Sequence, residues 1–247
     1  MTTVVTSISL QPSGDRARLD FRAGAIVPRV IEQGPDSARV ALVAGGALLL
    51  GGDHVRIDVT VGAGCTLELE DIGGTVAYDA DGERSTWTVN IVVETGGTLL
   101  WHALPMVIAH GANVDRLTRI TLDAGGRVCL RESVVLGRTG EIAGRVSQRT
   151  DITMSGTPVF VEELVVGEGR DVPGLIGANR VLDSVLAVGE RMPHHGSLVR
   201  VLDFEFPGSL ARFLGAAAHQ SPIDEVWTRW RQDLSRSNGA LAHHGAE

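Results

Sequence analysis

One unit recurs along the middle of this chain and constrains its fold more than any other feature. Two stretches of alternating apolar and polar residues flank a small–Gly–small triplet. The triplets are centred on Gly64, Gly96, Gly125 and Gly156, so they recur roughly every 30 residues. Period-two alternation is typical of a strand with one buried face, and a glycine turn between two such strands predicts a hairpin. The repeat therefore predicts an all-β, superhelical stack of short strands and hairpins, each layer burying its face on the next.

A further glycine turn, Gly51-Gly52-Asp53, joins an apolar run to the alternating strand that begins near Val55. Two interpretations of its aspartate remain open. The carboxylate of Asp53 can cap backbone N–H groups of an ordinary strand–turn–strand corner. It can equally face a partner or a passing cation.

Composition favours many short strands and excludes several functions. The chain has 247 residues, of which 43% are hydrophobic and 21% charged, enough to bury a core. Only 4% are aromatic, whereas 31 are glycine. The net charge of −8 argues against nucleic acid or an anionic membrane as a partner. All 22 basic residues are arginine, which excludes a Schiff-base lysine and a P-loop lysine.

The cysteines and the N-terminus indicate a cytoplasmic protein. Cys65 and Cys129 lie far apart and form no Cys-x-x-Cys motif, so we expect small buried thiols in a reducing compartment. The first residues carry neither a basic region nor a long apolar one, so we expect no signal peptide. No apolar run is long enough to span a bilayer.

The pattern changes after Val166. Strands are expected at Val181–Val188 and Leu198–Leu202, followed by two helices over residues 208–219 and 222–234. Ser209 and Ser221 are the expected N-caps of these helices. The expected organisation is a β-strand domain over residues 1–205, a short helical section over 206–235 packed on it, and a disordered tail over 236–247.

Catalytic signals are weak. The segments that connect the repeated turns, at 68–79, 101–111 and 131–141, carry the polar residues. No two histidines show the spacing of a zinc protease, and no Gly-x-Ser-x-Gly occurs. His194-His195, and His102 with His110, are possible metal ligands, although solvent-exposed or structural histidines explain them as well. The acidic residues Glu68, Glu70 and Asp71 either line a cation path or form a solvated strand edge.

Three segments resemble the UreD/UreH family of urease accessory proteins. They are Leu48-Leu-Leu-Gly-Gly-Asp-His-Val55, Leu104-Pro-Met-Val-Ile-Ala-His-Gly-Ala112 and Val135-Leu-Gly-Arg-Thr-Gly-Glu141. Their order and spacing also fit, so the resemblance covers residues 20–205. The chain departs from the family pattern at Glu70-Asp71-Ile72 and at Ala109-His110. The resemblance therefore implies no role for the residues at those positions.

The resemblance implies a non-enzymatic scaffold for urease maturation. Such proteins bind a helical UreF-type accessory protein, which recruits a UreG-type GTPase, and they dock on apo-urease. A tunnel through the scaffold has been proposed as the nickel path. We therefore expect Ni²⁺ as transient cargo, with no tightly bound cofactor and no tight metal site.

The resemblance also indicates candidate residues. The family motifs place weight on Gly51, Gly52, Asp53, Pro105, Gly137, Arg138, Gly140 and Glu141. A nickel path would use acidic residues and one histidine, namely Asp53, His54, Asp58, Glu68, Glu70, Asp71 and Glu132. The segment Gly137–Glu141 is expected to form a structured corner in which Arg138 is either buried against a carboxylate or part of an exposed turn.

Two other functions fit an all-β chain without an evident active site. One is a β-solenoid-like carbohydrate-binding or carbohydrate-modifying module, which needs an exposed aromatic platform. The other is a cupin-like, metal-dependent β-barrel enzyme, which needs a His-x-His motif that this chain lacks.

Overall fold

The structure is a computed structural model that describes residues 5–167, 175–194 and 199–242. Strands dominate these ranges, and a single α-helix follows them, which confirms the predicted all-β stack with a small C-terminal helical section. The elements are β1 (Thr6–Ser13), β2 (Arg16–Arg22), β3 (Ile26–Gln33), β4 (Ser37–Ala44), β5 (His54–Val61), β6 (Thr66–Asp71), β7 (Thr75–Ala77), β8 (Ser85–Val93), β9 (Thr98–His102), β10 (Met106–Ile108), β11 (Asn113–Leu122), β12 (Arg127–Leu136), β13 (Arg145–Met154), β14 (Thr157–Val166), β15 (Val181–Val188), β16 (Arg200–Asp203), β17 (Gly208–Gly215), a 3₁₀ turn (Ala218–Gln220) and α1 (Ile223–Ala242).

The described strands form two sheets that pack face to face. The smaller sheet has the order β14-β13-β11-β8-β5-β1-β2. The larger sheet runs β16-β17-β15-β12-β9-β6-β4-β3, and the short strands β7 and β10 extend it beside β12. The middle strands of both sheets pair in parallel, for example β5 with β8 and β6 with β9. Each successive layer therefore adds one strand to each sheet.

The core consists of aliphatic side chains stacked in register. On the smaller sheet, Val59, Ile91, Ile120 and Ile152 are neighbours across β5, β8, β11 and β13. All four are almost fully buried. Burying each such side chain contributes on the order of 1.5–3 kcal/mol. The repeated alternation in the sequence therefore becomes columns of apolar contacts between the two sheets.

The turns lie where the repeat places them, but the hairpin interpretation is wrong for three of the four. The turns at Gly64, Gly96 and Gly125 each carry the chain from a strand of the smaller sheet to a strand of the larger one. Only the turn at Gly156 joins antiparallel neighbours, β13 and β14. Both edges of each strand beside the other three turns pair with strands of neighbouring layers, so successive strands face each other across the core.

The three crossing turns stack on one another. Gly64, Gly96 and Gly125 all have positive φ, between 66° and 68°, which glycine adopts without a steric penalty. The Gly64 N–H donates to the carbonyl of Thr95, and the Gly96 N–H donates to the carbonyl of Ala124. Each turn is thus hydrogen-bonded to the turn of the next layer, which explains the regular glycine spacing.

The helix expected over residues 208–219 is wrong. Gly208–Gly215 is strand β17, paired along its length with β15, and only Ala218–Gln220 forms a 3₁₀ turn. Leu210 faces the core between the sheets, whereas Ala211 faces the opposite side of the same sheet. Burial on both faces of a sheet overrides the local helix preference of this alanine- and leucine-rich segment.

The second expected helix is present and longer than expected. It begins at Ile223 and ends at Ala242, so residues 236–242 of the expected tail are helical, whereas residues 243–247 lie outside the described range. Its N-cap is Ser221, as predicted, because the Ile223 N–H donates to the Ser221 Oγ. Strand β16 begins at Arg200, and residues 195–198, with His195 and Leu198, are also outside the described ranges.

Helix α1 covers the outer face of the larger sheet. Trp227, Trp230 and Leu234 are buried there in a second apolar cluster that includes Leu100 and Cys129. The larger sheet is therefore buried on both faces over β9, β12, β15 and β17. The smaller sheet carries mainly polar side chains on its outer face.

Candidate functional site

A row of polar side chains runs between the two sheets, where most of the surrounding inward positions are apolar. We call it the polar seam, and it comprises Asp71 on β6, Arg116 on β11, Glu132 on β12, Gln148 on β13, Glu162 on β14 and Arg212 on β17. Buried polar groups cost free energy unless they are hydrogen-bonded. A row of such groups inside an apolar core is therefore a candidate for a functional site.

Arg116 and Glu132 form an ion pair at the centre of the seam. The Nη2 of Arg116 donates to Oε1 of Glu132 at 2.6 Å, and the hydroxyl of Thr118 donates to the same oxygen at 3.1 Å. The Arg116 side chain is only 6% exposed. Its Nε and Nη1 have no hydrogen-bond partner within the described residues. Only one of its three guanidinium nitrogens is thus hydrogen-bonded, which is uncommon for a buried cation.

Asp71 lines the same cavity as this pair. Its carboxylate accepts hydrogen bonds from the Trp101 indole Nε1 at 3.1 Å and from the Leu104 backbone N–H at 3.0 Å. Burial raises the pKa of the Asp71 carboxyl to about 6, although these hydrogen bonds and the charge of Arg116 act in the opposite direction. Asp71 therefore changes its charge around pH 6.

A second ion pair lies further along the seam. Arg212 donates to both carboxylate oxygens of Glu162, each at 2.6 Å, and its Nε donates to the Ser184 hydroxyl at 3.1 Å. This fork-to-fork geometry uses the guanidinium fully. All three guanidinium nitrogens of Arg212 are thus hydrogen-bonded, in contrast to one of three in Arg116.

Two small cavities lie beside these ion pairs. One is lined by Asp71, Trp101, Arg116 and Glu132, and the other by Glu132, Gln148, Glu162 and Arg212. Each has a volume of about 20 Å³, enough for one water molecule. Both share Glu132 and Leu130 in their walls. Glu132 is therefore the residue that links the two halves of the seam.

The structure brings together only two of the seven residues of the expected nickel path. Asp71 and Glu132 lie in the seam. His54 and Asp58 lie on the outer face of the smaller sheet, where His54 contacts the Thr86 hydroxyl and Asp58 pairs with Arg56. The remaining three residues, Asp53, Glu68 and Glu70, lie at other surfaces.

Glu68 and Glu70 lie on the outer face of the larger sheet, beside α1. Glu68 binds Arg231 of the helix through two hydrogen bonds of 2.8 and 2.7 Å, and Glu70 binds Arg39 at 2.6 Å. Neighbouring residues of a strand point to opposite faces. Asp71 therefore points into the core while Glu70 does not, and the acidic cluster of the sequence is divided by the sheet.

Asp53 caps its own turn. Its carboxylate accepts a hydrogen bond from the Leu50 N–H at 3.0 Å, and its own N–H donates to the Leu50 carbonyl at 3.0 Å. Gly51 of this turn is closely packed, because a Cβ there would lie 2.7 Å from the Ala80 carbonyl oxygen. This geometry favours the capping interpretation of the Gly51-Gly52-Asp53 motif.

The Gly137–Glu141 segment is a structured turn, and Arg138 in it is exposed. The guanidinium of Arg138 pairs with Glu141 at 2.8 Å across three residues, with just over half of its side chain exposed. Gly137 and Gly140 both have positive φ. Of the two expected arrangements, Arg138 therefore adopts the exposed turn and is not buried against a carboxylate. In the family motif that begins at Leu104, the carbonyl oxygen of Pro105 accepts a hydrogen bond from the Thr75 N–H at 3.1 Å.

Sequence reasoning missed the residue that holds this turn. The guanidinium of Arg180 donates to the carbonyl oxygens of Leu136 at 3.0 Å, Arg138 at 2.6 Å and Glu141 at 3.3 Å. One planar group thus satisfies three backbone acceptors. Arg180 lies far from the turn in sequence, so no local pattern pointed to it.

A second missed cluster lies beneath the start of α1. Arg131 binds Asp183, Asp224 and the Nε2 of His102, and Ser221 donates to Asp183 at 2.7 Å. Because Arg131 is the donor to His102, the imidazole is neutral in this arrangement. A signal was available, since Asp183 interrupts the otherwise apolar strand Val181–Val188.

Neither the cysteines nor the histidines that the structure describes assemble a metal site. Among the described residues, no three His, Cys, Asp or Glu side chains are grouped so that they could hold a metal ion. His102 lies beneath α1 and His110 is exposed, so the two do not face each other. Cys65 and Cys129 are both buried free thiols, as expected, and burial raises the pKa of each. None of the helices in the described ranges is long and apolar enough to cross a membrane.

Comparison with known proteins gives the fold a family. The sequence model of the family described as UreD urease accessory protein matches residues 15–242. Urease accessory protein UreD 1 of Streptomyces griseus is 38% identical over 234 residues, which span 93% of this chain and 91% of the relative. Urease accessory protein UreD of Streptomyces avermitilis is 33% identical over 84% of this chain and 83% of the relative. The chain therefore belongs to the UreD family of urease accessory proteins.

Proposed function

We propose that this protein is a non-enzymatic scaffold of urease maturation that holds apo-urease and other accessory proteins together while nickel is inserted. The observation that carries this proposal is the family membership, since the UreD match extends over nearly the whole described fold. The relatives of similar length bear the name accessory protein. An accessory role requires surfaces for partners and needs no catalytic constellation.

The proposed partners are apo-urease, a UreF-type accessory protein and a UreG-type GTPase in the cytoplasm. The acidic character of the chain, with a net charge of −8, supports protein partners and a cationic cargo over nucleic acid or an anionic membrane. Ni²⁺ is the proposed cargo and is passed on without being stored. Carboxylates bind such a cation weakly and exchange it readily, whereas histidine and cysteine clusters retain it.

The polar seam is the proposed place for this transfer. It is a row of polar side chains between the two sheets of the described fold, and it includes two carboxylates of the expected path, Asp71 and Glu132. Its cavities admit a single water molecule in the present conformation. The transfer therefore requires the seam to open in the assembled complex.

The structure supports the two other functions poorly. A carbohydrate platform needs exposed aromatic rings, whereas Trp87, Trp101, Trp227 and Trp230 are each at most 7% exposed. A cupin-like enzyme needs several histidines around one metal, and His54, His102 and His194 lie on different surfaces of the described fold.

Co-purification tests the proposed function. The full chain, tagged and expressed with urease subunits and the UreF-type and UreG-type proteins, is expected to retain all of them, and urease activation is expected to require the chain. A tagged chain that captures none of these proteins would contradict the proposal. Turnover of a small substrate or glycan binding by the isolated chain would favour one of the two other functions.

A further inference from the structure

The cavity around Asp71 is lined by two carboxylates and one positive charge. Asp71 and Glu132 contribute carboxylate oxygens, and the Thr118 hydroxyl lies beside Glu132. Hard divalent cations prefer such oxygen ligands. The guanidinium of Arg116 lines the same cavity, and its positive charge opposes the entry of a cation.

Arg116 is held loosely for a buried arginine. It is bound to Glu132 through Nη2 alone, and its Nε and Nη1 have no partner among the described residues. The chain offers a contrast in Arg212, whose guanidinium binds Glu162 twice and Ser184 once. Fewer hydrogen bonds are lost when Arg116 moves than when Arg212 moves. Arg116 is therefore the more readily displaced of the two cations in the seam.

We propose that Arg116 is a gate in the polar seam: its guanidinium lies in the wall of the cavity that Asp71 and Glu132 also line, and a divalent-cation site forms there only when Arg116 withdraws. This inference rests on the proposed function, since it specifies how the route for the cargo is kept closed in the free protein. Withdrawal leaves two carboxylates facing one cavity, and their mutual repulsion favours uptake of a cation.

The test removes the charge of Arg116 and measures Ni²⁺ binding to the isolated full chain. The variant is Arg116→Gln, titrated with NiCl₂ by calorimetry and by quenching of tryptophan fluorescence, because Trp87 and Trp101 line the cavity. One Ni²⁺ per chain is expected to bind Arg116→Gln, and the wild-type chain is expected to bind none at Ni²⁺ concentrations that saturate this variant. Adding Asp71→Asn or Glu132→Gln to this variant is expected to abolish the gain.

Two variants control for charge and for folding. Arg149→Gln removes an arginine that also pairs with two acidic residues, Asp151 and Glu163, but on the outer face of the smaller sheet. It is expected to bind Ni²⁺ as wild type does. Arg116→Lys keeps the positive charge and one donor for Glu132, so it is expected to fold and to stay free of Ni²⁺.

Three results would overturn the gate. They are a wild-type chain that binds one Ni²⁺ and loses it on Asp71→Asn, an Arg116→Lys chain that binds Ni²⁺, and a folded Arg116→Gln chain that gains no binding. If Arg116→Gln does not fold, the wild-type and Arg116→Lys titrations still decide. Failure to co-purify with urease subunits overturns the proposed function instead, whatever the titrations show.

Discussion

Arg131 and Asp183 form a two-point ion pair between the neighbouring strands β12 and β15, directly beneath the first turn of α1. Nη2 of Arg131 donates to Oδ2 of Asp183 at 3.0 Å, and Nε donates to Oδ1 at 3.3 Å. Both side chains are less than 10% exposed. Asp183 also accepts from Ser221, the N-cap of α1, and Arg131 also binds Asp224 in its first turn. The pair therefore ties the sheet to the helix.

Removing one member of this pair is expected to be costly. Arg131→Ala leaves the Asp183 carboxylate buried without its partner, which should lower the free energy of unfolding by about 3–5 kcal/mol. Urea denaturation measures this loss. Arg149→Ala, which breaks exposed ion pairs only, is expected to cost no more than about 1 kcal/mol. Equal losses in the two variants would contradict the role of burial.

His102 is expected to make stability depend on pH at mildly acidic values. Burial, followed by the charge of Arg131, lowers the pKa of His102 below its ordinary value, and Asp224, Asp183 and Glu70 only partly oppose this. The unfolded chain then binds more protons than the folded one below the ordinary histidine pKa. The His102 contribution is therefore fully present above that value and is lost as the pH falls.

The measurement for His102 is the difference in unfolding free energy between wild type and His102→Gln across that range. Glutamine offers Arg131 an acceptor but does not titrate. We expect the wild type to lose stability relative to the variant as the pH falls below the ordinary histidine pKa. A constant difference over the same range would show that His102 does not titrate differently in the folded state.

Asp71 is expected to make stability depend on pH in the direction opposite to His102. Burial raises its pKa to about 6, so the folded state binds more protons than the unfolded state between the ordinary aspartate value and pH 6. The contribution of Asp71 is therefore fully present at lower pH and is lost as the pH rises through 6. Asp71→Asn, which stays neutral, should gain about 2 kcal/mol relative to wild type between pH 4 and pH 7. Thermal melts at both values measure this change.

Arg180 is expected to matter more for stability than Arg138. Arg138→Ala removes an exposed ion pair with Glu141 and should change the melting temperature little. Arg180→Ala removes the donor for three backbone carbonyls and should cost about 2 kcal/mol or more. Differential scanning fluorimetry of both variants compares them. A larger loss in Arg138→Ala would contradict the arrangement of this turn.

Two variants of Asp53 test whether this residue caps its turn or binds the cargo. Asp53→Ala removes the acceptor for the Leu50 N–H and should lower stability by about 1 kcal/mol. Asp53→Asn keeps an acceptor oxygen, so stability and urease activation should both stay near wild type. Thermal melts and activation assays on the two variants decide. Loss of activation in a stable Asp53→Asn chain would instead assign the carboxylate charge to the transfer.

The sequence alone determined where most of the strands, the turns and the C-terminal helix of this protein lie. Period-two alternation indicated the strands, and the small–Gly–small triplets marked the turns at Gly64, Gly96, Gly125 and Gly156, because both signals depend on neighbouring residues. The Ser221 cap and the start of α1 were also correct. Three motif segments in order were enough to indicate the family, which the whole-chain comparison then showed.

Only the tertiary structure decided which strands pair and which side chains meet. Crossing turns and hairpins share the same local signal, and parallel pairing between layers, which involves residues far apart in sequence, selects between them. The segment Gly208–Gly215 became a strand because β15 and both faces of the sheet bury it. Pairing also directed Asp71 into the core and Glu70 outward, and it brought Arg116, from another layer, to the cavity that Asp71 lines.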